Sequence, residues 1–293
     1  MPFKTILVPV SGAENSHDAQ ALKSAFRLAD RFDAHVDALN ITIDPRTAAT
    51  FVGEGMTSAM IESVIEMAEK DGEKREKQAH ELFTDICNEM SVPIITSASD
   101  RPVSGASAQF VQRQGNREDV LLSYGRLFDL IVICKAGEDE ETNNSLIITT
   151  ALRETGRPVL LTDKVVSEQI GRKIAVAWNG SVESSRALAY AMPLLKSAEK
   201  VTLISAIDDL DEDTETSDAL RYLEMHGVKA KSCEIKGGSG RSTAESLLSQ
   251  ATKCEADLLV MGAYTRGRLR RLFFGAVTEE ILNSCPIPVL MAH

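Results

Sequence analysis

The sequence repeats itself, and this repeat constrains the fold more than any other feature. Residues 4–12 read KTILVPVSG, and residues 172–180 read RKIAVAWNG without a gap. In both places an apolar run ends in small residues and leads into a helical pattern. Further strand-like runs correspond in order, 36–41 with 201–206, 128–133 with 256–261, and 158–161 with 288–291. The repeat predicts two copies of one structural unit.

Each copy alternates short, nearly continuous apolar runs with helical segments in the order β-α-β-α-β-α-β-α-β. Such runs are typical of parallel strands that are buried on both faces. The sequence therefore predicts two tandem doubly wound, five-stranded parallel-sheet α/β domains of the Rossmann-like type. The length of 293 residues suits two domains. A polar connection at 163–169 gives the predicted domains as 1–166 and 167–293.

The first copy has an insertion between Asp44 and Met90 that the second lacks. Residues 45–55 are typical of a loop, and 57–90 predict one or two amphipathic helices with Gly72 as a candidate interruption. The charged run at 69–77 is typical of a solvated helix face. A lid or a dimer contact is the functional alternative.

Charge and cysteine usage exclude several classes of function. The formal net charge is −11, so nucleic acid and anionic membranes are not expected partners. No apolar stretch is long enough to span a membrane, and the first residues do not resemble a secretory signal, so we expect a cytoplasmic protein. The five cysteines are scattered and no histidines are paired at helical spacing, which predicts neither a disulfide framework nor a metal site.

The turn after the fourth strand of the second copy has the chemistry of an anion site. Gly262 and Gly275 allow close approach of the backbone, and four arginines lie between them. A helix is expected to begin near Ala276, and its first N–H groups would point towards a bound anion. The alternative without a ligand is an ordinary strand-to-helix connection whose arginines are solvated.

This stretch resembles the nucleotide-binding motif of the universal stress protein family, G-x-x-G-x9-G-[ST], and the likeness of the two copies to that family covers nearly the whole chain. Gly262 and Gly275 match the first and last glycines. Thr265 occupies the second glycine position and Ala276 the Ser/Thr position. Asn179 stands where the family has an acidic residue after the first strand.

The resemblance implies a cytosolic stress-response protein that binds ATP or another adenine nucleotide in the second copy, with Mg²⁺ only where the nucleotide brings it. The implied nucleotide-binding residues are Ala177, Asn179, Ala206, Met261, Gly262, Thr265, Arg266, Arg268, Gly275, Ala276, Val277 and Thr278. Among them, Thr278 offers a hydroxyl that Ala276 lacks.

The corresponding turn of the first copy has lost this chemistry. Cys134 replaces the first glycine of the motif and Ser145 the last, and Ser11 takes the acidic position. The four carboxylates of 138–141 would each repel a phosphate by about 1 kcal/mol. We expect no nucleotide in this copy and a role in packing, dimerisation or regulation.

Two further stretches of the sequence resemble known local motifs. Residues 11–16, SGAENS, resemble the S-G-G-x-D-S pyrophosphate loop of ATP-pyrophosphatases, with two departures. The glycine-rich segment 237–242 leads into a predicted capping box at Ser242 and Glu245.

The predicted pocket contains no histidine and no cysteine, so no catalytic residue is assigned and at most slow ATP hydrolysis is expected. Three hypotheses result, namely a nucleotide-binding stress protein, a scaffold that acts through protein contacts, and an ATP-pyrophosphatase-type enzyme. The two copies are expected to pair within the chain, with 287–291 as a contact edge, and a homodimer of the whole chain stays open.

Overall fold

The computed structural model describes residues 2–14, 16–43, 57–135, 141–165, 169–206, 216–235, 242–264 and 276–293. The chain divides into two compact units, the N-terminal unit, 3–155, and the C-terminal unit, 156–293. No helix of the described part is both long and apolar enough to cross a membrane.

The described strands of the N-terminal unit form a parallel sheet in the order β3-β2-β1-β4. Its strands are β1 (Thr5–Val10), β2 (His35–Thr42), β3 (Ser107–Gln114) and β4 (Leu130–Cys134). Its helices are α1 (Asp18–Phe32), α2 (Ser58–Glu89), α3 (Arg117–Gly125) and α4 (Glu141–Glu154).

The C-terminal unit has the strand order β5-β10-β9-β6-β7-β8. Its strands are β5 (Val159–Thr162), β6 (Lys173–Trp178), β7 (Lys200–Ala206), β8 (Ala230–Ile235), β9 (Leu258–Gly262) and β10 (Val289–Ala292). Its helices are α5 (Val182–Tyr190), α6 (Met192–Ser197), α7 (Thr216–Met225), α8 (Thr243–Lys253) and α9 (Ala276–Ser284). Strands β6 to β10 are mutually parallel, whereas β5 runs antiparallel to β10 with Leu160 opposite Leu290.

These strands are the apolar runs of the sequence, and the predicted α/β class is confirmed. The three consecutive residues Ile6, Leu7 and Val8 of β1 are completely buried, as expected for a parallel strand that is covered on both faces. Strand β5 is the exception to the all-parallel prediction, because its partner β10 belongs to the other copy of the repeat.

An aspartate before the fourth strand of each copy holds the start of the first strand. The Asp129 carboxylate accepts the N–H groups of Lys4 and Thr5 at 2.8 and 3.0 Å. In the second copy, the carboxylate of Asp257 accepts the N–H groups of Gly171, Arg172 and Lys173. The repeat thus extends to the hydrogen bonds that fix the sheet.

The insertion forms one helix of 32 residues, α2, with no interruption at Gly72. Its first turn is capped by the Thr57 hydroxyl, which accepts the N–H of Met60. In its second half, Phe83 is 1% exposed and contacts Phe26 of α1 and Phe110 of β3. The insertion is therefore part of the core of the N-terminal unit.

Two helix starts test the sequence prediction directly. The helical pattern after β1 predicts a start near Asn15 or Ser16; helix α1 begins at Asp18, and Asn15 lies outside the described residues. The predicted capping box is confirmed, because Ser242 and Glu245 each bond the other's backbone N–H at the start of α8.

Candidate functional site

In the C-terminal unit, the predicted site lies at the carboxyl ends of β6 and β9, where the strand order reverses. Ligands of doubly wound sheets bind in the crevice at such a point. A Cβ on Gly262, the last residue of β9, would lie 2.6 Å from the backbone nitrogen of Ser184. The first turn of α5 therefore packs directly against the end of β9, and a side chain at position 262 would push it away.

The turn after β6 is built around the side chain of Asn179. Its Oδ1 accepts hydrogen bonds from the backbone N–H and the hydroxyl of Ser181, at 3.2 and 2.7 Å. The Ser181 hydroxyl in turn accepts the N–H of Ser184 and caps α5. The side-chain carbonyl oxygen of Asn179 is thus bonded within the turn, and the amide NH₂ is the remaining polar group of this side chain. Ala177 precedes this turn and is partly buried.

The end of β9 is joined to the first turn of α9. Tyr264 has a left-handed backbone, φ 66°, and its N–H donates to the Thr278 hydroxyl oxygen at 3.4 Å. Thr278 is 3% exposed, and Val277 beside it is partly exposed. The N-terminus of α9 therefore lies next to the end of β9, and its first N–H groups, which have no partner within the helix, give it a partial positive charge.

The remaining predicted residues are distributed as follows. Met261 is buried in β9, Ala206 ends β7, and Ala276 begins α9. The predicted residues Thr265, Arg266, Arg268 and Gly275 lie outside the described part of the chain.

One residue that the sequence prediction missed lies beside this site. The Nδ1 of His293 bonds the carbonyl oxygen of Ala263 at 3.1 Å, and its ring stands edge-on to that of Tyr264. A site without histidine was expected. The parallel pairing of β9 with β10 places Ala292 opposite Gly262 and therefore brings His293 to the same edge. The register of these two strands is what would have identified His293 as a residue of the site.

Trp178 is the last residue of β6 and the single tryptophan of the chain. Its indole is buried, and the Nε1 donor has no hydrogen-bond partner among the described residues. An unpaired buried donor is costly and rare in native proteins. Trp178 directly precedes Asn179 in the chain, so its fluorescence can report changes near the predicted nucleotide site.

The turn after β1 in the N-terminal unit has a different construction. One carboxylate oxygen of Asp18 accepts the N–H groups of Ser11 and Gly12, at 2.8 and 2.9 Å, and the Ser11 hydroxyl. The backbone donors that a pyrophosphate loop would offer to its anion are therefore already bonded to a side chain. Next to this turn lies a cavity of about 220 Å³, whose lining includes Arg75 and Arg117.

A buried polar network joins β2, β3 and α3 in the N-terminal unit. Ser107 Oγ bonds His35 Nδ1 at 2.8 Å, and His35 Nε2 lies 3.1 Å from Asp37 Oδ1. The hydroxyl of Tyr124 and the amide of Gln109 donate to the other oxygen of Asp37. The order of groups matches a Ser-His-Asp triad, but Ser107 is 0% exposed and cannot reach a substrate, so this network is structural.

Because of this network, the stability of the fold should decrease at both acidic and alkaline pH. Burial alone would raise the pKa of Asp37, but hydrogen bonds from His35, Tyr124 and Gln109 outweigh it and hold that pKa below its usual range. The ionised carboxylate thus stabilises the fold above the unfolded pKa of about 3.9 and loses this effect as pH falls through the folded-state pKa. Burial and the hydrogen bond to Asp37 raise the pKa of Tyr124. The protonated hydroxyl therefore stabilises the fold at neutral pH, and this stabilisation is lost as pH rises through the raised pKa.

No group of three or more histidine, cysteine, aspartate or glutamate side chains that could hold a metal ion occurs in the described ranges. Burial raises the pKa of the Cys87 thiol to about 12, which makes it a poor nucleophile at neutral pH.

Comparison with known proteins agrees with the fold and the repeat. Residues 171–293 match the model of the universal stress protein family. The universal stress protein Slr1230 of Synechocystis is 21% identical over 98% of this chain and 99% of its own length. The crystal structure of a universal stress protein from Archaeoglobus fulgidus covers 98% of this chain and 97% of its own, with a TM-score of 0.65 and 14% identity.

A universal stress protein solved in complex with cAMP has the much lower TM-score of 0.30, at 14% identity, and covers 56% of this chain and 100% of its own. Residues 171–293 therefore belong to the universal stress protein family, and the repeat together with the full-length relative supports a tandem universal stress protein.

Proposed function

We propose that the chain is a cytoplasmic stress-response protein that binds an adenine nucleotide in its C-terminal unit, at the carboxyl ends of β6 and β9. The observation that carries this proposal is the hydrogen bond from the Tyr264 N–H to Thr278, because it holds the N-terminus of α9 beside the end of β9. A helix N-terminus at this place in a doubly wound sheet favours a phosphate group.

Three features of the same edge support the proposal. Gly262 lets the first turn of α5 lie directly against β9 and adds a second helix N-terminus to the site. The Asn179 amide NH₂ is a donor that a nucleotide's acceptor atoms could satisfy. The sequence adds four arginines between Gly262 and Gly275.

The site contains positioning groups and a single histidine, whose Nδ1 bonds a backbone carbonyl. We therefore propose nucleotide sensing and no fast turnover. The pairing of the two repeats and a homodimer of the whole chain remain predictions.

Titration of the full chain with ATP, AMP and cAMP, followed by Trp178 emission and melting temperature, tests the proposal. Nucleotide at 100 times its dissociation constant should stabilise the protein by about 2.7 kcal/mol. The double variant Arg268→Ala/Arg271→Ala should weaken binding, whereas Lys229→Ala/Lys231→Ala, which removes two exposed charges at β8, should not. If millimolar nucleotide changes neither emission nor melting temperature, the proposal fails and the scaffold hypothesis is favoured.

A further inference from the structure

The N-terminal unit contains a cavity that nothing in the nucleotide motif explains. Its volume is about 220 Å³, and it lies at the carboxyl ends of β1, β2 and β4. The walls are mainly apolar and include Leu39 and Ile41 of β2 and Ile133 of β4. The polar part of the lining contains two cationic side chains, Arg75 of α2 and Arg117 of α3, together with Ser11, Ser16, His17 and Asp18.

The backbone at this position does not offer an anion site. The carboxylate of Asp18 already occupies the N–H groups of Ser11 and Gly12. A Cβ on Gly12 would lie 2.0 Å from the carbonyl oxygen of Arg75, so the backbone of α2 covers the turn on which phosphates would rest. An anion in this cavity must therefore be bound by side chains.

The negative charges of Glu118, Asp18 and Asp71 act on Arg117, but among the described residues no carboxylate forms an ion pair with it. Arg117 is partly buried, and it forms no hydrogen bond or ion pair with the described residues. The neighbouring Arg75 is held by Asp71, which lies 2.8 Å from its Nε. Asp18 is also close, but its Oδ2 already accepts three hydrogen bonds. Among the described residues, the N–H donors of Arg117, up to five in number, thus have no hydrogen-bond acceptor at the cavity.

We propose that this cavity binds a small organic carboxylate with an apolar body, such as a short aliphatic or single-ring acid, with its carboxylate on Arg117. A guanidinium binds a carboxylate through two parallel hydrogen bonds, and the apolar walls take the rest of the molecule. The volume is below the range of roughly 300–1,000 Å³ usual for drug-sized ligands, which disfavours a nucleotide. This proposal is independent of the nucleotide site.

Calorimetric titration of the full chain with hexanoate and benzoate tests the proposal, with inorganic phosphate and ATP as comparison ligands. We expect both carboxylates to bind and phosphate not to compete with them. Arg117→Leu should raise the carboxylate Kd at least about tenfold, and Arg117→Lys, which keeps the charge but not the paired donors, should have an intermediate effect. The matched control Arg113→Leu, at an exposed arginine of β3, should leave the Kd unchanged.

Trp178 emission separates this site from the nucleotide site. Carboxylate binding should leave the emission unchanged in the wild type, because the only tryptophan is in the C-terminal unit. The proposal is overturned by the absence of carboxylate binding at millimolar concentration, by equal affinity in a folded Arg117→Leu variant, or by displacement of the carboxylate by phosphate. Circular dichroism establishes that each variant is folded.

Discussion

Replacement of Gly12 by alanine measures how closely α2 packs on the turn after β1. Gly12 has φ 66°, and an added Cβ would lie 2.0 Å from the Arg75 carbonyl oxygen. Ordinary contact begins at 3.4 Å, so α2 would have to withdraw by about 1.4 Å, the difference between the two distances. The left-handed backbone costs about 1–2 kcal/mol in a non-glycine residue, and overpacking adds about 1–3 kcal/mol. The free energy of unfolding should therefore fall by about 2–5 kcal/mol.

Gly156→Ala is the matched control, because Gly156 has nearly the same φ, 68°, but nothing within 4 Å of an added Cβ. The free energy of unfolding of this variant should fall by only about 1–2 kcal/mol, partly offset by the reduced entropy of the unfolded chain. Urea unfolding followed by far-ultraviolet circular dichroism gives both values. Equal losses for the two variants would refute the close packing of α2 on this turn, and with it the argument that side chains must bind any anion in the cavity.

Three further predictions concern other parts of the molecule. Tyr124→Phe removes a hydrogen-bond donor to Asp37, so it should lower the free energy of unfolding by about 1–2 kcal/mol at neutral pH. Because loss of this donor raises the pKa of Asp37, the acid unfolding midpoint should move to higher pH. An unchanged midpoint in an acid titration would contradict the network. Ser242→Ala breaks the capping box of α8 and should cost about 1 kcal/mol in urea unfolding, and Ser246→Ala in the same helix should cost clearly less. Cys87 should react with a thiol reagent only after unfolding, because the thiol is buried and its pKa is raised; rapid labelling at that position in the native protein, read by peptide mass spectrometry, would disprove this.

The strands and the repeat could be predicted because their signal is local. Apolar runs such as 5–10 and 173–178 contain enough information to identify buried parallel strands, and their likeness reveals the duplication. The single helix α2 was less certain from sequence, since a glycine within a helix costs only about 1 kcal/mol and packing can outweigh it. Gly72 lies ahead of the half of α2 that Phe83 fixes to the core.

The chemistry of the candidate sites depends on contacts between distant positions, which a local pattern does not contain. Asp18 belongs to α1 by sequence, yet its carboxylate completes the turn after β1. Arg75 and Arg117 come from separate helices and meet at one cavity. His293 lies beside Ala263 only because of the register of β9 and β10. These residues could be recognised only once the pairing of the strands was known.

The antiparallel pairing of β5 with β10 determines how the second half of the chain can be studied alone. A fragment that starts after residue 166 omits β5 and leaves the apolar edge of β10, Val289 to Met291, without its hydrogen-bonded neighbour. Open, apolar strand edges recruit other chains, so such a fragment should self-associate. A fragment that starts at Gly156 retains this neighbour of β10, so that edge stays paired when ligand binding to β6 and β9 is measured.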